Sequence, residues 1–202
     1  VMRDDVLDFI LLNIRARDLV EGDIQCQIGA VNLGERRLLG LLGQYGFETL
    51  SKATEEILNA TERRVRVNIA AIPDGEYSAE RAIDHDGIEF DKSPVVRLCL
   101  RVKGDGITFD YSDSDPQSIG YINSTLPNTA AMSHLALFAT RAISNDIQFN
   151  DGAVRPLNII APEGTIVNAR EPAPTSCCTL CVGEAMIEAV WLALAQVIPE
   201  QV

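Results

Sequence analysis

The strongest local constraint on this chain is a pair of alternating runs, PVVRLCLRV at 94–102 and ITFDYS at 107–112, set either side of KGDG at 103–106. Alternation with period two places apolar side chains on one face of a strand, and two glycines in four residues tolerate the positive φ of a tight reversal. An antiparallel hairpin is expected there. The flanking sequence has a different rhythm. Val6, Phe9, Ile10 and Ile14 recur at helical spacing, and an apolar stripe continues through Ile24, Ile28, Val31, Leu38, Leu41 and Leu42.

Two or three helices are expected up to about residue 60, punctuated by Gly22, Gly34, Gly40, Gly43 and Gly46, with 47–64 forming the last. RVRVNIAAI at 64–72 alternates Val65, Val67 and Ile69 against Arg64, Arg66 and Asn68, the pattern of a half-buried strand that PDG at 73–75 would end. A helix is expected over 128–143 with Asn128 or Thr129 as its N-cap, and another over 183–199. LNIIAP at 157–162 and TIVNA at 165–169 predict a second strand pair around PEG. The fold class is therefore α+β: a helical N-terminal region, an antiparallel β meander, further helices with a short hairpin, and a C-terminal helix. Residues 1–202 are expected to form a single segment without an internal linker.

Composition excludes several function classes. Twenty-nine acids against 17 bases give a formal charge of -12, which repels a phosphate backbone and makes nucleic acid an unsuitable partner. No run approaches the roughly 18 apolar residues of a membrane span, and residues 1–20 lack the build of a signal peptide. Five cysteines, an odd number, read as reduced thiols and point to a cytoplasmic protein. There is no GxxxxGK[ST] loop, no GxGxxG and no GxSxG elbow. His85 and His134 are the only histidines, so a three-histidine zinc site is excluded within the chain.

Three groups of residues could carry chemistry. DHDGIEFD at 84–91 and DYSDSD at 110–115 offer oxygen ligands for Mg²⁺ or Ca²⁺, although the spacing fails the calcium-loop pattern; turn-closing acids are the plainer reading. Cys177, Cys178 and Cys181 form a CCxxC cluster. Thr175 or Ser176 as an N-cap would put these thiols in the first turn of the last helix, where the dipole lowers a thiol pKa; buried packing is the alternative. His134 on its apolar helix reads as a core or interface residue before it reads as a base.

Five stretches read together carry a resemblance: GDIQCQIGAVNLGERRLLGLLGQYG at 22–46, IPDGEYSAERAIDHDGI at 72–88, ITFDYSDSDPQSIGYIN at 107–123, NDGAVRPLNIIAPEGTIVNAREPAP at 150–174 and ALAQVIPE at 193–200. In this order the chain resembles the hydantoinase B family, which includes the B-type component of N-methylhydantoinase, the C-terminal half of 5-oxoprolinase and subunits of acetone and acetophenone carboxylases. Members are considerably longer, so the resemblance implies an internal segment of a larger subunit. Two departures stand out: Asp113 occupies a turn where relatives have glycine, and CCTLC replaces a stretch that is not usually rich in cysteine.

The resemblance implies ATP-dependent hydrolysis of a cyclic amide of the hydantoin or 5-oxoproline type, in a hetero-oligomer with a hydantoinase A-like ATP-binding subunit. A noncatalytic scaffold segment of such an assembly, or part of a related ketone carboxylase, is the alternative. ATP would sit on the partner and a divalent metal on upstream residues, so no cofactor or metal ligand is carried onto this chain. Arg155 is the expected anion-binding residue, since a forked donor suits carboxylate or phosphate; a salt bridge is its plainer role. Asn123 and Asn150 could orient a substrate amide or simply close turns, and Asp110 could take a proton or face water.

Overall fold

A computed structural model describes residues 3–144 and 147–202. In order it contains α1 (Asp4–Leu11), α2 (Arg17–Tyr45), α3 (Phe47–Ile69), β1 (Gly75–Ala82), β2 (Val95–Lys103), β3 (Gly106–Asp110), α4 (Leu126–Phe138), α5 (Arg141–Ser144), β4 (Leu157–Ile160) and α6 (Val182–Ala195). The α+β class and the hairpin at 95–110 are as the sequence predicts. The chain divides into two compact units, one ending at Glu55 and the other spanning Glu56–Val202, with the division inside α3.

In the first unit α2 runs unbroken for 29 residues. Gly22, Gly34, Gly40 and Gly43 do not punctuate it, because a helical glycine costs only about 1 kcal/mol relative to alanine and, unlike proline, does not clash with the preceding turn. Gly46 is different: its φ of 76° lies in the left-handed region, and its amide donates to the Leu42 carbonyl at 2.9 Å, closing the helix. None of the side chains of α2 is buried.

In the second unit the run at 64–69 is not a strand but the last turns of α3. The apparent alternation hides a helical face: Thr61, Val65 and Ile69 are buried four residues apart, whereas Val67, which a strand would bury beside them, is 67% exposed. Arg66 and Glu62 form the matching i,i+4 ion pair at 2.8 Å. The true first strand is β1, whose inward positions Tyr77 and Ala79 carry a weak apolar signal.

The sheet has the order β1-β2-β3-β4. The first three strands are antiparallel neighbours, with Ser78 opposite Cys99 and Cys99 opposite Asp110. β4 pairs with β3 in parallel, placing Ile159 beside Phe109. The expected second hairpin therefore does not form; residues 165–168 make only isolated bridges. The apolar run 157–160 finds its partner in the edge of β3, after a crossover through α4.

One face of the sheet carries Val96, Leu98, Leu100, Val102, Ile107 and Phe109, all buried, and α6 packs against β1 and β2. Ala185, Ala189 and Ala193 repeat every fourth residue along α6 and are buried, and Trp191 Nε1 donates to the Ala136 carbonyl of α4 at 2.9 Å. α4 starts earlier than expected, with Pro127 in its first turn, so Asn128 and Thr129 lie inside it and Thr125 precedes it. It stops at Phe138, before the short α5. The last helix ends at Ala195, followed by a single turn at Pro199–Gln201. Among the described residues no helix is long and apolar enough to cross a membrane.

Candidate functional site

The most highly organised polar region lies where residues 84–93 meet residues 113–124. Asp86, only 1% exposed, is at its centre. Its Oδ1 accepts from the amides of Ile88 (2.8 Å) and Glu89 (2.6 Å), and its Oδ2 accepts from the Gly120 amide (3.0 Å) and the Ser118 hydroxyl. The Ser118 hydroxyl, joined by the three amides, holds the carboxyl far below the usual carboxylate range against the opposing effect of burial. Gly120 packs directly on the Asp86 backbone, and Gly87, at φ 87°, lies under the Tyr121 ring; a Cβ at either place would overlap its neighbour.

Asn123 completes this region from the other side. It is fully buried; its Oδ1 accepts from the Ser118 amide at 2.7 Å, and its Nδ2 donates to the carbonyls of Ser118 (2.9 Å), Gly120 (2.9 Å) and Pro174 (3.0 Å). Two N–H bonds serve three acceptors, so the amide has no capacity left. Further bonds lace the same loop to residues 164–177: Ser124 N to Ile166 O, Arg170 N to Gln117 Oε1 and Cys177 N to Tyr121 O.

The second polar region is the outer face of the sheet. Ser78, Glu80, Arg97, Cys99, Asp110 and Asp113 line an open groove of about 270 Å³. Arg101 bridges Asp110 (2.6 Å) and Glu76 (3.1 Å), and Arg97 bridges Asp115 (2.5 Å) and Glu80 (3.3 Å). Burial raises the Asp110 pKa, but the Ser112 hydroxyl and amide together with Arg101 outweigh it and leave the group below its usual value. At neutral pH Asp110 is thus an ionised, paired carboxylate. Four acids around two arginines give this face an acidic balance, better suited to a cation or a hydrogen-bond donor than to an anion.

Asn150 and Arg155 come together against α3. Asn150 Oδ1 accepts from the Gly152 amide at 2.9 Å, capping the short 3₁₀ turn Asp151–Val154, and its Nδ2 donates to Thr61 Oγ1 at 2.8 Å. Arg155 Nη1 donates to Asn59 Oδ1 (2.7 Å) and Glu62 Oε2 (3.0 Å). Arg155 first, then Arg66, holds the Glu62 carboxyl below its ordinary value. Asp110 and Asn123 share no hydrogen-bond partner with this pair.

The acids of the two clusters face different ways: Asp86 is internal, Glu89 pairs with Lys92, and Asp110 and Asp115 pair with arginines. Among the described residues no three His, Cys, Asp or Glu side chains converge to hold a metal. His85 accepts from the Gly87 amide and packs its ring at a tilt of 57° against Phe90, and burial lowers the His134 pKa. The cysteines precede the last helix instead of opening it, since α6 begins at Val182 with Cys181 as its cap residue. The expected lowering of a thiol pKa is accordingly reversed: burial, then the neighbouring Cys177, pushes Cys181 up to about 11. In the sequence Asp86 is only one acid of a cluster; the Asp-Gly step is its one local signal, because Ser118 and Gly120 are more than 30 residues away.

The whole chain, residues 1–202, matches the Hydantoinase B/oxoprolinase family. The chain belongs to this family. The B component of a putative D-/L-hydantoinase from Pseudomonas sp. (strain NS671) is 34% identical over 208 residues, covering 98% of this chain and 34% of that protein. The crystal structure of the ATP-dependent caprolactamase from Pseudomonas jessenii superposes with a TM-score of 0.85 at 33% identity, covering 99% of this chain and 34% of that one. Nucleotide-free acetone carboxylase shares the fold, with a TM-score of 0.83 at 14% identity over 99% of this chain and 28% of that one. The chain spans about a third of the length of the relatives it matches.

Proposed function

We propose that this chain acts as part of the B-type component of an ATP-dependent hydrolase of cyclic amides, working with a hydantoinase A-like ATP-binding subunit in a hetero-oligomer. The observation that carries the reading is the 33% identity and TM-score of 0.85 to ATP-dependent caprolactamase along 99% of the chain. A second observation supports assembly. Val31 and Leu39 of α2 are 71% and 59% exposed, and the helix buries no side chain, the state of a helix that packs on further protein.

In this reading the partner transfers phosphate from ATP to the amide oxygen. That makes the oxygen a leaving group and the carbon electrophilic, so what remains is to place water and stabilise charge. The divalent metal falls to residues of the assembly outside this chain. Asp86 and Asn123 hold the 113–124 loop rigid, Asn150 and Arg155 fasten residues 150–155 to α3, and Asp110 anchors the charge lattice of the sheet.

The test is a complete B-type component carrying this sequence, co-purified with its ATP-binding partner and supplied with ATP, divalent metal and cyclic amides. ATP-dependent ring opening of a hydantoin, 5-oxoproline or a lactam is expected. Bicarbonate-dependent carboxylation of a ketone without ring opening would overturn the hydrolase reading. Arg155→Ala separates positioning from anion binding: a fall in kcat and thermal midpoint together supports positioning, whereas a rise in KM for substrate at unchanged midpoint assigns Arg155 to the anion.

A further inference from the structure

β1 ends the sheet, so one of its two edges has no partner strand. The register decides which groups that edge presents. Ile83 N–H donates to the Pro94 carbonyl at 2.8 Å, and in an antiparallel ladder every second residue repeats the pattern, so the backbone groups of Arg81, Ala79 and Tyr77 face β2. Those of Glu76, Ser78, Glu80 and Ala82 face the other way, and the Ser78 carbonyl accepts from Gln196 Nε2 at 2.9 Å from that side. Among the described residues this is the one hydrogen bond made along the edge, and all four residues are exposed. The two faces beside the edge differ in chemistry. On the outer face Glu76 and Glu80 are each 69% exposed, and the arginines they touch are shared with Asp110 and Asp115, so each arginine serves two acids. On the inner face Arg81 pairs with Glu188 of α6 at 2.5 Å, and beside that pair Trp191, Leu192 and Ala195 line a groove of about 310 Å³. Trp191 and Leu192 are 38% and 46% exposed.

We propose that the β1 edge docks an extended segment of a partner protein, added as an antiparallel strand that carries lysine or arginine on its outer face and valine- or leucine-sized side chains between them on its inner face. Main-chain hydrogen bonds hold such a strand, and the alternating side chains select it. In antiparallel pairing the residues bonded to Glu76, Ser78 and Glu80 share their face, so the basic side chains meet the two glutamates while the intervening ones lie over Trp191 and Leu192. The incoming amide opposite Ser78 takes over the carbonyl that Gln196 holds. A second copy of this chain fits poorly, because β1 paired with itself about Ser78 sets Glu76 opposite Glu80 twice, and like charges directly opposite repel. The docking site belongs to the sheet and stands apart from the hydrolase reading, so either can fail without the other.

Trp191 is the only tryptophan of the chain and lines the groove, so its emission reports on docking. The probe is a short peptide that alternates lysine with valine or leucine, titrated into the folded chain. A shift of the emission to shorter wavelength that saturates below about 1 mM is expected. A peptide of the same composition with its lysines grouped together should bind about tenfold more weakly or worse, since net charge alone does not place its donors. N-methylation at the lysines removes the amide donors that face β1 and should weaken binding by about tenfold or more, whereas N-methylation at the valines and leucines, whose donors face away, should change it by less than about threefold. Ser78→Pro removes an outward N–H where an edge strand tolerates proline, and should weaken binding by about tenfold at an unchanged thermal midpoint. Equal affinity for the grouped peptide, equal effects of the two methylations, no saturation, or a concentration-dependent dimer that protects the Ser78 amide from hydrogen exchange would each overturn the proposal. The peptide comparisons use the wild-type chain, so they decide the matter even where Ser78→Pro does not fold.

Discussion

Replacing Asn123 by alanine should destabilise the Glu56–Val202 unit by about 3 kcal/mol. The side chain makes one accepted bond, from Ser118 N, and has two N–H bonds shared among the carbonyls of Ser118, Gly120 and Pro174. Three net bonds at about 1 kcal/mol each give that figure, and buried groups left without partners push it upward. For a domain of this size the thermal midpoint would fall by about 6–12 °C, and a urea melt followed by circular dichroism would show a lower midpoint at unchanged slope. Asn123→Asp provides the discriminating control. An ionised carboxylate would point one oxygen, in place of Nδ2, at three carbonyl oxygens, so at neutral pH it should cost more than alanine. Protonation supplies one O–H donor, which raises the folded pKa of the new group above its unfolded value. Its deficit relative to wild type must therefore shrink as pH falls through that raised value. A loss below about 0.5 kcal/mol for Asn123→Ala, or a deficit for Asn123→Asp that stays constant between pH 7 and pH 4, would refute the hydrogen-bond account.

Asp86 makes the opposite prediction. Its folded pKa lies below the unfolded one, so its stabilisation is present above about pH 4 and is lost as pH falls through the folded value. Asp86→Asn should lower the urea midpoint at pH 7, and the gap to wild type should close below pH 4. Burial lowers the His134 pKa, so below about pH 6.5 the unfolded chain takes up a proton that the folded chain resists; stability should fall from pH 7 toward pH 5, and His134→Gln should flatten that slope in the same melts. Gly120→Ala and Gly40→Ala should differ in sign. The first drives a methyl into the Asp86 backbone and should destabilise by about 1–3 kcal/mol, while the second adds a methyl in open space on a helix and should raise helix stability by about 1 kcal/mol, read as helicity on heating.

The legible parts of the fold are those in which one short window holds the whole signal. The hairpin at 95–110 shows alternation on both sides of its turn, and α6 shows an apolar run too long for a strand. Misreading arises where two periods fit the same residues. Val65, Val67 and Ile69 satisfy a strand, while Thr61, Val65 and Ile69 satisfy a helix, and only the exposure of Val67 decides between them. The pairing of β4 is hidden for another reason. The apolar run at 165–169 offers a nearer partner in sequence, yet the true one lies about 50 residues earlier in β3, and nothing local encodes a parallel crossover.

The candidate site follows the same rule in a stricter form. The order of family stretches is visible along the chain, yet the residues that stiffen the 113–124 loop depend on contacts no window contains: Asp86 with Ser118, Asn123 with Pro174, and Arg155 with Glu62. Asparagine, aspartate and arginine in loops look alike in sequence whether they bind a substrate or hold a neighbour, because both uses need the same donors and acceptors. What separates them is whether any capacity remains once the chain has folded. Asn123, with every hydrogen-bonding atom engaged and no exposed surface, can influence a substrate only through the loop it holds. Arg155, with one face on Glu62 and the rest of its fork partly exposed, keeps donors that a carboxylate could still reach. The residue with spare donors is therefore the one for which a KM measurement carries information, and the saturated one is better judged by a melt.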